Sequence, residues 1–441
     1  MVQESSILQH LGISQLNEMQ QQSIHAVLHS NRDVLILSPT GSGKTLAYLL
    51  PLVQRMEPTE EEVQAVVVVP GRELALQSSE VMKSMRTGMC SMAVYGGRPT
   101  MDEHREMRKT MPQIIFGTPG RINDHIDKEN FQPNKVKWLI IDEFDKCLEM
   151  GFQKEMTHLV ERLSSVERRI LLSATMCEQI PLFVNMGRTE VVDFRVEDEQ
   201  IADRIRVFSV MSPQKDKLQT LEHLLLSLKG ESTVVFLNHR ESVERVGSCL
   251  QERGFAVSIF HGGLEQKTRE SVLYQFSNGS SNVLVCTDLA SRGLDIPDIQ
   301  NIIHYHLPET AQNYVHRVGR TARWDKEGRA FFLLSQEEKI PDFVEVVPQP
   351  YELPDTTGLR PQPARMVTLY IGKGKKDKLS KGDVVGFMCK KGGLNSQHIG
   401  RISLEERFTY VAVASEMAPE VLKNLRGEKI KGLKTLVELV R

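Results

Sequence analysis

Eight residues, Ser38-Pro39-Thr40-Gly41-Ser42-Gly43-Lys44-Thr45, constrain the fold of this chain more tightly than any other stretch. They follow an apolar run at 34–37, which reads as a buried strand, and precede Leu46-Ala47-Tyr48-Leu49-Leu50, which reads as the start of a helix. Strand, glycine loop and helix in that order is the setting in which a loop wraps phosphate. Glycine reaches backbone conformations that aim successive N–H groups at one anion. The helix N-terminus adds partial positive charge. Lys44 can reach outer phosphates, and the Thr45 hydroxyl can hold a magnesium ion. Thr40, Gly41, Ser42, Gly43, Lys44 and Thr45 are therefore candidate ligands of a nucleoside triphosphate. Ser38 stands where the strict pattern has glycine, and the alternative is an ordinary glycine-rich turn before a lysine.

The rest of the chain repeats the strand and helix alternation. Short apolar, β-rich runs at 65–69, 113–116, 138–141 and 169–172 are separated by longer helical patterns. Continuous apolar strands between helices indicate a parallel sheet covered on both faces. The rhythm restarts at 233–236, 256–260, 282–285, 301–303 and 330–334, without a second phosphate-type loop. A polar, acidic stretch at 199–207 separates the two series, and the proline-rich segment from Pro348 to Pro363 reads as a linker. Beyond it, strand-like runs at 366–370 and 410–413 and a helical pattern at 418–425 predict a small α+β module.

A chain of 441 residues is too long for one core. No apolar run has the length of a membrane span, and the first residues lack the form of a secretory signal. Six scattered cysteines without a CxxC pair argue against a zinc site, a metal cluster or a disulfide framework. They predict a reducing, cytoplasmic setting. The near-neutral total hides an asymmetry. Residues 366–441 carry 15 Lys and Arg against 8 Asp and Glu, out of chain totals of 55 and 57. A basic tail on an acidic body reads as a nucleic-acid-binding appendage or as a solvated charged surface.

Asp142-Glu143-Phe144-Asp145 closes the apolar run at 138–141. Acids at the carboxyl end of a buried strand sit where open α/β sheets bind ligands. Asp142 can hold magnesium through water, and Glu143 can orient or deprotonate the water that attacks a γ-phosphate. Acids are also ordinary helix caps; the phosphate loop upstream favours the catalytic reading.

With these motifs the chain resembles the DEAD-box RNA helicase family over its full length. The tetrapeptide at 142–145 stands where the family has its namesake motif, with Phe144 replacing alanine. Ser173-Ala174-Thr175 matches the family motif that couples hydrolysis to strand separation, which implies that Ser173 and Thr175 engage the acidic motif through Asp145. Pro70-Gly71-Arg72-Glu73-Leu74-Ala75, Gly96-Gly97 and Thr118-Pro119-Gly120-Arg121 match RNA-binding elements, with Gly71 in place of the usual threonine. They imply RNA contacts for Arg72, Gly97, Thr118 and Arg121. In the second series, His261-Gly262 with Gln266 and Arg269, and the stretch from Thr287 to Asp295, match further elements. The resemblance turns Gln266, Arg269 and Thr287 toward RNA and Asp295 toward the ATP ribose. His316-Arg317-Val318-Gly319-Arg320-Thr321-Ala322-Arg323 matches the arginine-finger motif. Arg320 and Arg323 would meet charge building on the γ-phosphate, with His316 among the coupling residues. Gln20 matches an adenine-reading glutamine, whose amide can both donate and accept. The accompanying aromatic and proline are Ile13 and Leu16 here, so weaker adenine selectivity is expected.

The implied architecture is α/β: two tandem RecA-like parallel-sheet domains at 1–205 and 206–345, a linker at 346–365, and an RRM-like α+β domain at 366–441. The tail looks like a DbpA-like RNA-binding domain, which makes Lys375, Lys376, Lys378, Arg401, Lys429 and Lys431 candidate RNA contacts. The resemblance implies a monomeric ATP hydrolase that uses ATP and Mg2+ to unwind RNA duplexes locally. Its expected partner is structured 23S ribosomal RNA during large-subunit assembly, with no membrane involved. Phosphate loop and acids on one domain, with arginines on the other, imply that hydrolysis needs closure and that RNA and ATP tighten each other's binding. The alternative is an ATP-gated RNA clamp or chaperone without productive unwinding; the RRM-like tail disfavours a DNA helicase.

Overall fold

The computed structural model describes residues 4–39, 41–58, 62–97, 100–174, 180–194, 205–288, 299–321 and 327–440. Thr40, Thr175, Asp295 and Arg323, all named above, lie outside these residues. The chain divides into two compact units, one made mainly of residues up to Arg204 and one mainly of residues from Ile205 onward.

The first unit runs α1 (Glu4–Leu11), α2 (Glu18–His29), β1 (Asp33–Leu37), α3 (Lys44–Arg55), β2 (Ala65–Val68), α4 (Arg72–Ser84), β3 (Ser91–Val94) and α5 (Thr100–Thr110). It continues through β4 (Ile114–Gly117), α6 (Pro119–Asp127), β5 (Trp138–Ile141), α7 (Phe144–Glu149), α8 (Gln153–Arg162), β6 (Arg168–Ser173) and β7 (Thr189–Asp193). Among the described residues these strands form a seven-stranded sheet in the order β3-β4-β2-β5-β6-β1-β7, with parallel pairing throughout. Both faces are covered, which is why the strands read as unbroken apolar runs. Val34 and Ile36 pack with Val27, Tyr48 and Leu49 on one face. Leu35 and Leu37 pack with Ile122 and Leu159 on the other.

The second unit opens with β8 (Ile205–Met211), α9 (Leu218–Ser227), β9 (Thr233–Leu237), α10 (Arg240–Glu252), β10 (Val257–Phe260), α11 (Gln266–Ser277) and β11 (Val283–Thr287). β12 (Asn301–His304), α12 (Ala311–Val318), β13 (Gly328–Leu334) and β14 (Gln349–Pro350) follow. The sheet order is β10-β11-β9-β12-β13-β8-β14, again parallel. β14 comes from the segment whose composition reads as a linker. It pairs with Phe208 and Ser209 at the sheet edge, where a proline is tolerated because its missing donor would face away from the partner strand. The next residue, Tyr351, donates its N–H to the Ser209 carbonyl at 2.8 Å. Its ring stands edge-on to Phe208 and Phe331, with centroids 5.5 and 5.3 Å away.

The tail, in the same unit, holds β15 (Met366–Ile371), α13 (Lys381–Lys390), β16 (Ile399–Leu404), β17 (Thr409–Ala414), α14 (Ala418–Asn424), β18 (Lys429–Ile430), β19 (Leu433–Lys434) and β20 (Val437–Leu439). Its antiparallel sheet has the order β16-β17-β15-β20. Strand periodicity sends Leu369, Ile371, Val411 and Val413 into a core with Val384, Phe387 and Val421 of the two helices. It sends Thr368, Tyr370 and Tyr410 to the opposite face, which meets α11. The Tyr274 and Tyr410 rings stack at 5.3 Å. The Tyr274 hydroxyl reaches the Arg401 carbonyl and, at 3.2 Å, the Tyr410 carbonyl. Asn278 donates to the Thr368 hydroxyl at 2.9 Å, and the Met366 N–H donates to the Gly279 carbonyl at 3.2 Å. No helix among the described residues is long and apolar enough to cross a membrane.

Tyr274→Ala removes the stack and both hydroxyl contacts. The tail is expected to lose about 2–4 kcal/mol of docking energy. Calorimetry should then show it melting apart from the preceding sheet, with faster proteolysis between residues 355 and 365.

Candidate nucleotide site and nucleic-acid face

In a parallel sheet all carboxyl ends lie on one edge, and ligands bind there. In the first unit the strand order sorts the candidate motifs along that edge. β5, β6 and β1 are neighbours, and they end in Asp142, Ser173 and the phosphate loop. Their alignment is direct: Leu37 pairs with Ser173, and the Ser38 N–H donates to the Ser173 carbonyl at 3.0 Å. β3, β4 and β2 are also neighbours, and they lead into Gly96-Gly97, Thr118 and Gly71-Arg72. The nucleotide candidates thus share one half of the edge and the RNA candidates the other.

Gly41 and Gly43 take left-handed backbones, with φ of 89 and 87°. Gly43 is also sterically committed, because an added Cβ would come 2.4 Å from Nε2 of Gln20. The Lys44 ammonium donates to the Ser38 and Pro39 carbonyls at 2.7 and 2.6 Å. Phosphate oxygens accept more strongly from an ammonium than neutral carbonyls do, so a triphosphate would recruit it. The Ser42 hydroxyl oxygen is buried without a hydrogen-bond partner, a group that an anion would satisfy. Gln20 lies against this loop. Its amide accepts from the Asn17 N–H at 3.0 Å and donates to the Gly43 carbonyl at 3.2 Å. Asn17 completes the clamp by donating to the Ser42 carbonyl at 2.9 Å. Asn17 and Gln20 form a reciprocal capping box at the start of α2. The Asn-x-x-Gln spacing was the available sequence signal for it.

Asp142 is 3 % exposed. Burial, reinforced by the Glu143 charge, pushes its carboxyl up to about 7, while Lys44 and the Glu143 N–H pull the other way. A cation at this position would restore the ionised form. Glu143 adopts a left-handed backbone, φ 48 and ψ 50°, a costly conformation for a non-glycine residue that concentrates at functional sites. Phe144 is fully buried and joins the core beside Ile141 and Leu171, so its larger ring is absorbed by packing below the acids. Asp145 and Ser173 are buried on adjacent elements, at 4 and 1 % exposure.

The RNA candidates differ in how they are presented. Arg72 opens α4 and is half-buried, Gly97 is exposed with φ 92°, and Thr118 caps α6 through its backbone. Arg121 is held inside the domain. Its guanidinium pairs with buried Glu103 and donates to the Thr100 hydroxyl at 3.2 Å and to Asp124 at 3.4 Å. Although burial works against it, hydrogen bonds from His125 and Arg121 hold the Glu103 carboxyl below the usual range. Glu103 is thus the anchor of this loop cluster, and it carried no motif signal of its own.

In the second unit, Arg269 is buried, donates to the His261 carbonyl at 3.2 Å and lies 4.6 Å over the Phe260 ring. Gln266 bonds to Glu270 at 2.9 Å, and Thr287 is half-buried at the end of β11. His316 and Arg320 are 6 and 3 % exposed, and Arg320 donates to the His316 carbonyl at 3.3 Å. Their neighbour Arg317 is the hub. It holds Asp288 through two bonds of 2.6 and 2.7 Å, Asn238 at 2.9 Å and the His306 carbonyl at 2.7 Å. It therefore pins α12 to the ends of β9, β11 and β12. In the tail, Lys375, Lys376, Lys378, Lys429 and Lys431 are exposed. Lys431 donates to the Lys378 carbonyl at 2.9 Å, which joins the two lysine groups in one patch. Arg401 lies elsewhere, at the seam with α11, donating to the Ser277 hydroxyl at 3.1 Å.

Residues 17–182 match the DEAD/DEAH box helicase family, residues 216–325 the helicase conserved C-terminal domain, and residues 368–439 the DbpA RNA binding domain. The chain is 32% identical over 442 residues to the ATP-dependent RNA helicase DbpA of Escherichia coli (strain K12), covering 98% of this chain and 96% of that protein. The chain belongs to the DEAD-box ATP-dependent RNA helicases of the DbpA type. DbpA of Bacillus subtilis (strain 168) is 29% identical over 454 residues, covering 96 and 95% of the two chains. Among solved structures, Mss116p bound to ssRNA and AMP-PNP superposes with a TM-score of 0.71 at 26% identity, covering 81% of this chain and 78% of that one. S. cerevisiae Dbp5 bound to RNA and ADP BeF3 shares the fold, with a TM-score of 0.69 at 23% identity and coverage of 78 and 93%. This DbpA-type helicase therefore has two RecA-like parallel-sheet domains and an antiparallel RNA-binding tail. RNA binding and use of ATP follow from the family.

Two outcomes test the site of this helicase. The raised Asp142 carboxyl means that ionisation penalises the folded state. That penalty is absent below the unfolded value near pH 4 and complete above about pH 7. Without nucleotide and magnesium, Asp142→Asn should therefore gain roughly 2–4 kcal/mol over wild type between pH 4 and pH 8, read by urea unfolding. Gly71 caps α4 with an extended backbone, φ -138°, and no side-chain bond. An added Cβ there meets nothing closer than 3.7 Å. Gly71→Thr should stabilise the helix by a few tenths of a kcal/mol and tighten RNA binding about 2- to 10-fold, measured by anisotropy.

Proposed function

We propose that this helicase couples ATP hydrolysis to local unwinding of RNA duplexes and that its basic tail directs it to 23S ribosomal RNA during assembly of the large subunit. The observation that carries the reading is the division of one strand-end edge. The phosphate loop and Asp142 occupy the ends of β1 and β5, while Arg72, Gly97 and Thr118 follow the adjoining β2, β3 and β4. A nucleotide and an RNA strand bound there would share one rigid sheet. The relative Mss116p, bound to ssRNA and AMP-PNP, supports simultaneous occupancy.

In this reading Gly41, Ser42, Gly43 and Lys44 bind the phosphates, with Thr40 beside them. Thr45 and Asp142 would hold a magnesium ion, largely through water, which supplies charge neutralisation at the phosphates. The buried, partly uncompensated Asp142 carboxyl fits a cation. Glu143 orients or deprotonates the attacking water, and Arg320 and Arg323 stabilise the charge that develops on the γ-phosphate. Ser173, Thr175, Asp145 and His316 couple this chemistry to RNA held by Arg72, Gly97, Thr118, Arg121, Gln266, Arg269 and Thr287. Asp295 contacts the ribose, and Gln20 contacts the adenine. The tail patch of Lys375, Lys376, Lys378, Lys429 and Lys431 contacts RNA phosphates, and Arg401 would add a separate contact at the seam with α11. The match of residues 368–439 to the DbpA RNA binding domain, together with the likeness to two relatives named DbpA, supports the ribosomal target.

The test compares ATPase rate without nucleic acid, with generic RNA, with fragments of 23S ribosomal RNA and with DNA, alongside displacement of a short labelled duplex. The expected order is ribosomal fragments above generic RNA above DNA. Lack of RNA stimulation would overturn the reading. Equal stimulation by all RNAs would overturn the ribosomal target, and hydrolysis without strand displacement would favour a clamp. Replacing Lys375, Lys376 and Lys378 together by Glu should weaken ribosomal-fragment binding about tenfold or more at low salt, while stimulation by generic RNA persists.

A further inference from the structure

The two loops that carry Gly97 and Thr118 leave neighbouring strands, β3 and β4. One buried carboxylate reaches both. Glu103, in the first turn of α5, is shielded from solvent. Its Oε1 accepts the Tyr95 N–H at 3.3 Å, at the entry to Gly96-Gly97. Its Oε2 accepts from Nε of Arg121, in the loop after β4, and from Nε2 of His125 on α6 at 3.1 Å. Held ionised, the carboxylate can only accept, so the His125 proton sits on Nε2. Nδ1 then accepts from the Asn130 amide at 3.1 Å, and Asn130 accepts from Arg108 of α5 at 2.9 Å. Arg121 also donates to the Thr100 hydroxyl of α5 at 3.2 Å. A desolvated ion pair of this kind seldom adds net stability, because apolar side chains of like volume pack as well. What it adds is direction: two oxygens of one rigid group face two different loops.

We propose that Glu103 is a positioning residue for RNA, fixing the spacing of the Gly97 loop and the loop at 118–121 so that a strand laid across both meets groups already in place. The inference rests on the reading of Gly97 and Thr118 as RNA contacts. The β3 and β4 backbones stay joined as far as the Thr118 N–H, which donates to the Val94 carbonyl at 3.3 Å. Past that bond Glu103 takes over, from a helix that belongs to neither strand end. Loops ordered before the ligand arrives spare binding the entropy of ordering them. The effect falls on RNA rather than on nucleotide, since the phosphate loop and Asp142 occupy the other half of the strand-end edge.

The test uses the full-length protein and a generic single-stranded RNA. RNA affinity is read by anisotropy with a non-hydrolysable ATP analogue and magnesium present, and analogue affinity is read without RNA. Glu103→Gln keeps the side-chain shape but removes the charge that holds Arg121. It should weaken RNA binding about tenfold, the weight of one charge-assisted hydrogen bond, and leave analogue affinity within about twofold of wild type. Glu103→Asp keeps the charge but falls one methylene short of joining both loops. It should weaken RNA binding in the same direction, which separates lost spacing from changed surface charge, and it carries the comparison if Glu103→Gln does not fold. Both variants should melt at a lower temperature. A merely structural role predicts that same lower temperature with RNA affinity unchanged well below the melt, or with both affinities falling together. Either result, or tighter RNA binding, would overturn the inference. Wild-type RNA affinity in Thr118→Ala would instead overturn the reading of these loops as RNA contacts.

Discussion

Parallel pairing of β1, β6 and β5 is the constraint on which the nucleotide site depends. Residues that are more than 100 positions apart in the chain arrive at one edge because the strands that carry them run the same way and in register, as Leu37 opposite Ser173 demonstrates. No side chain in the site makes this happen. The apolar strands do, each packed on both faces, and the chemistry is placed where they stop. The same pairing sets β2, β4 and β3 alongside, so that a second group of loops opens on the continuation of that edge.

Within this frame the site stores local cost. Asp142 is a carboxyl held almost wholly out of solvent, and Glu143 holds a left-handed backbone without being glycine. The phosphate loop is held by Lys44 from within and by Asn17 and Gln20 from α2. These are features of a surface prepared for charged ligands, since a phosphate and a cation would relieve burial that the protein alone leaves uncompensated. Gln20 has a double part here, because the amide that would read adenine already braces the loop.

The tail spends one face of its sheet on the helicase core. Tyr410, Thr368 and Arg401 are committed to α11, whose first turn carries Gln266 and Arg269. What remains exposed is the lysine patch, joined by Lys431, which donates to the Lys378 carbonyl and pairs with Asp383 at 3.2 Å. The segment before it is partly strapped to the second sheet through β14 and Tyr351. Proline content predicted an open connector there. Composition records that such a segment will not be helical, but edge pairing depends on a vacant strand edge in β8, which no local residue announces.

Sequence alone carried the fold class and nearly every chemical group. The apolar runs, the glycine loop and the acidic tetrapeptide are local patterns whose physics is local: period, turn chemistry and the residue types a phosphate requires. It did not show which groups already have protein partners. Arg121, Arg269 and Arg401 were legible as arginines of RNA-binding motifs, yet their guanidiniums are engaged by Glu103, the His261 carbonyl and the Ser277 hydroxyl. Glu103 and Asn17 drew no notice, and Arg317 was read only as a member of its motif, because their importance lies in partners that are distant in sequence or on another element. Tertiary packing decided these roles, since whether a polar group faces a ligand or a neighbour is settled by which elements meet, and hydrogen bonding in a buried site leaves few groups uncommitted.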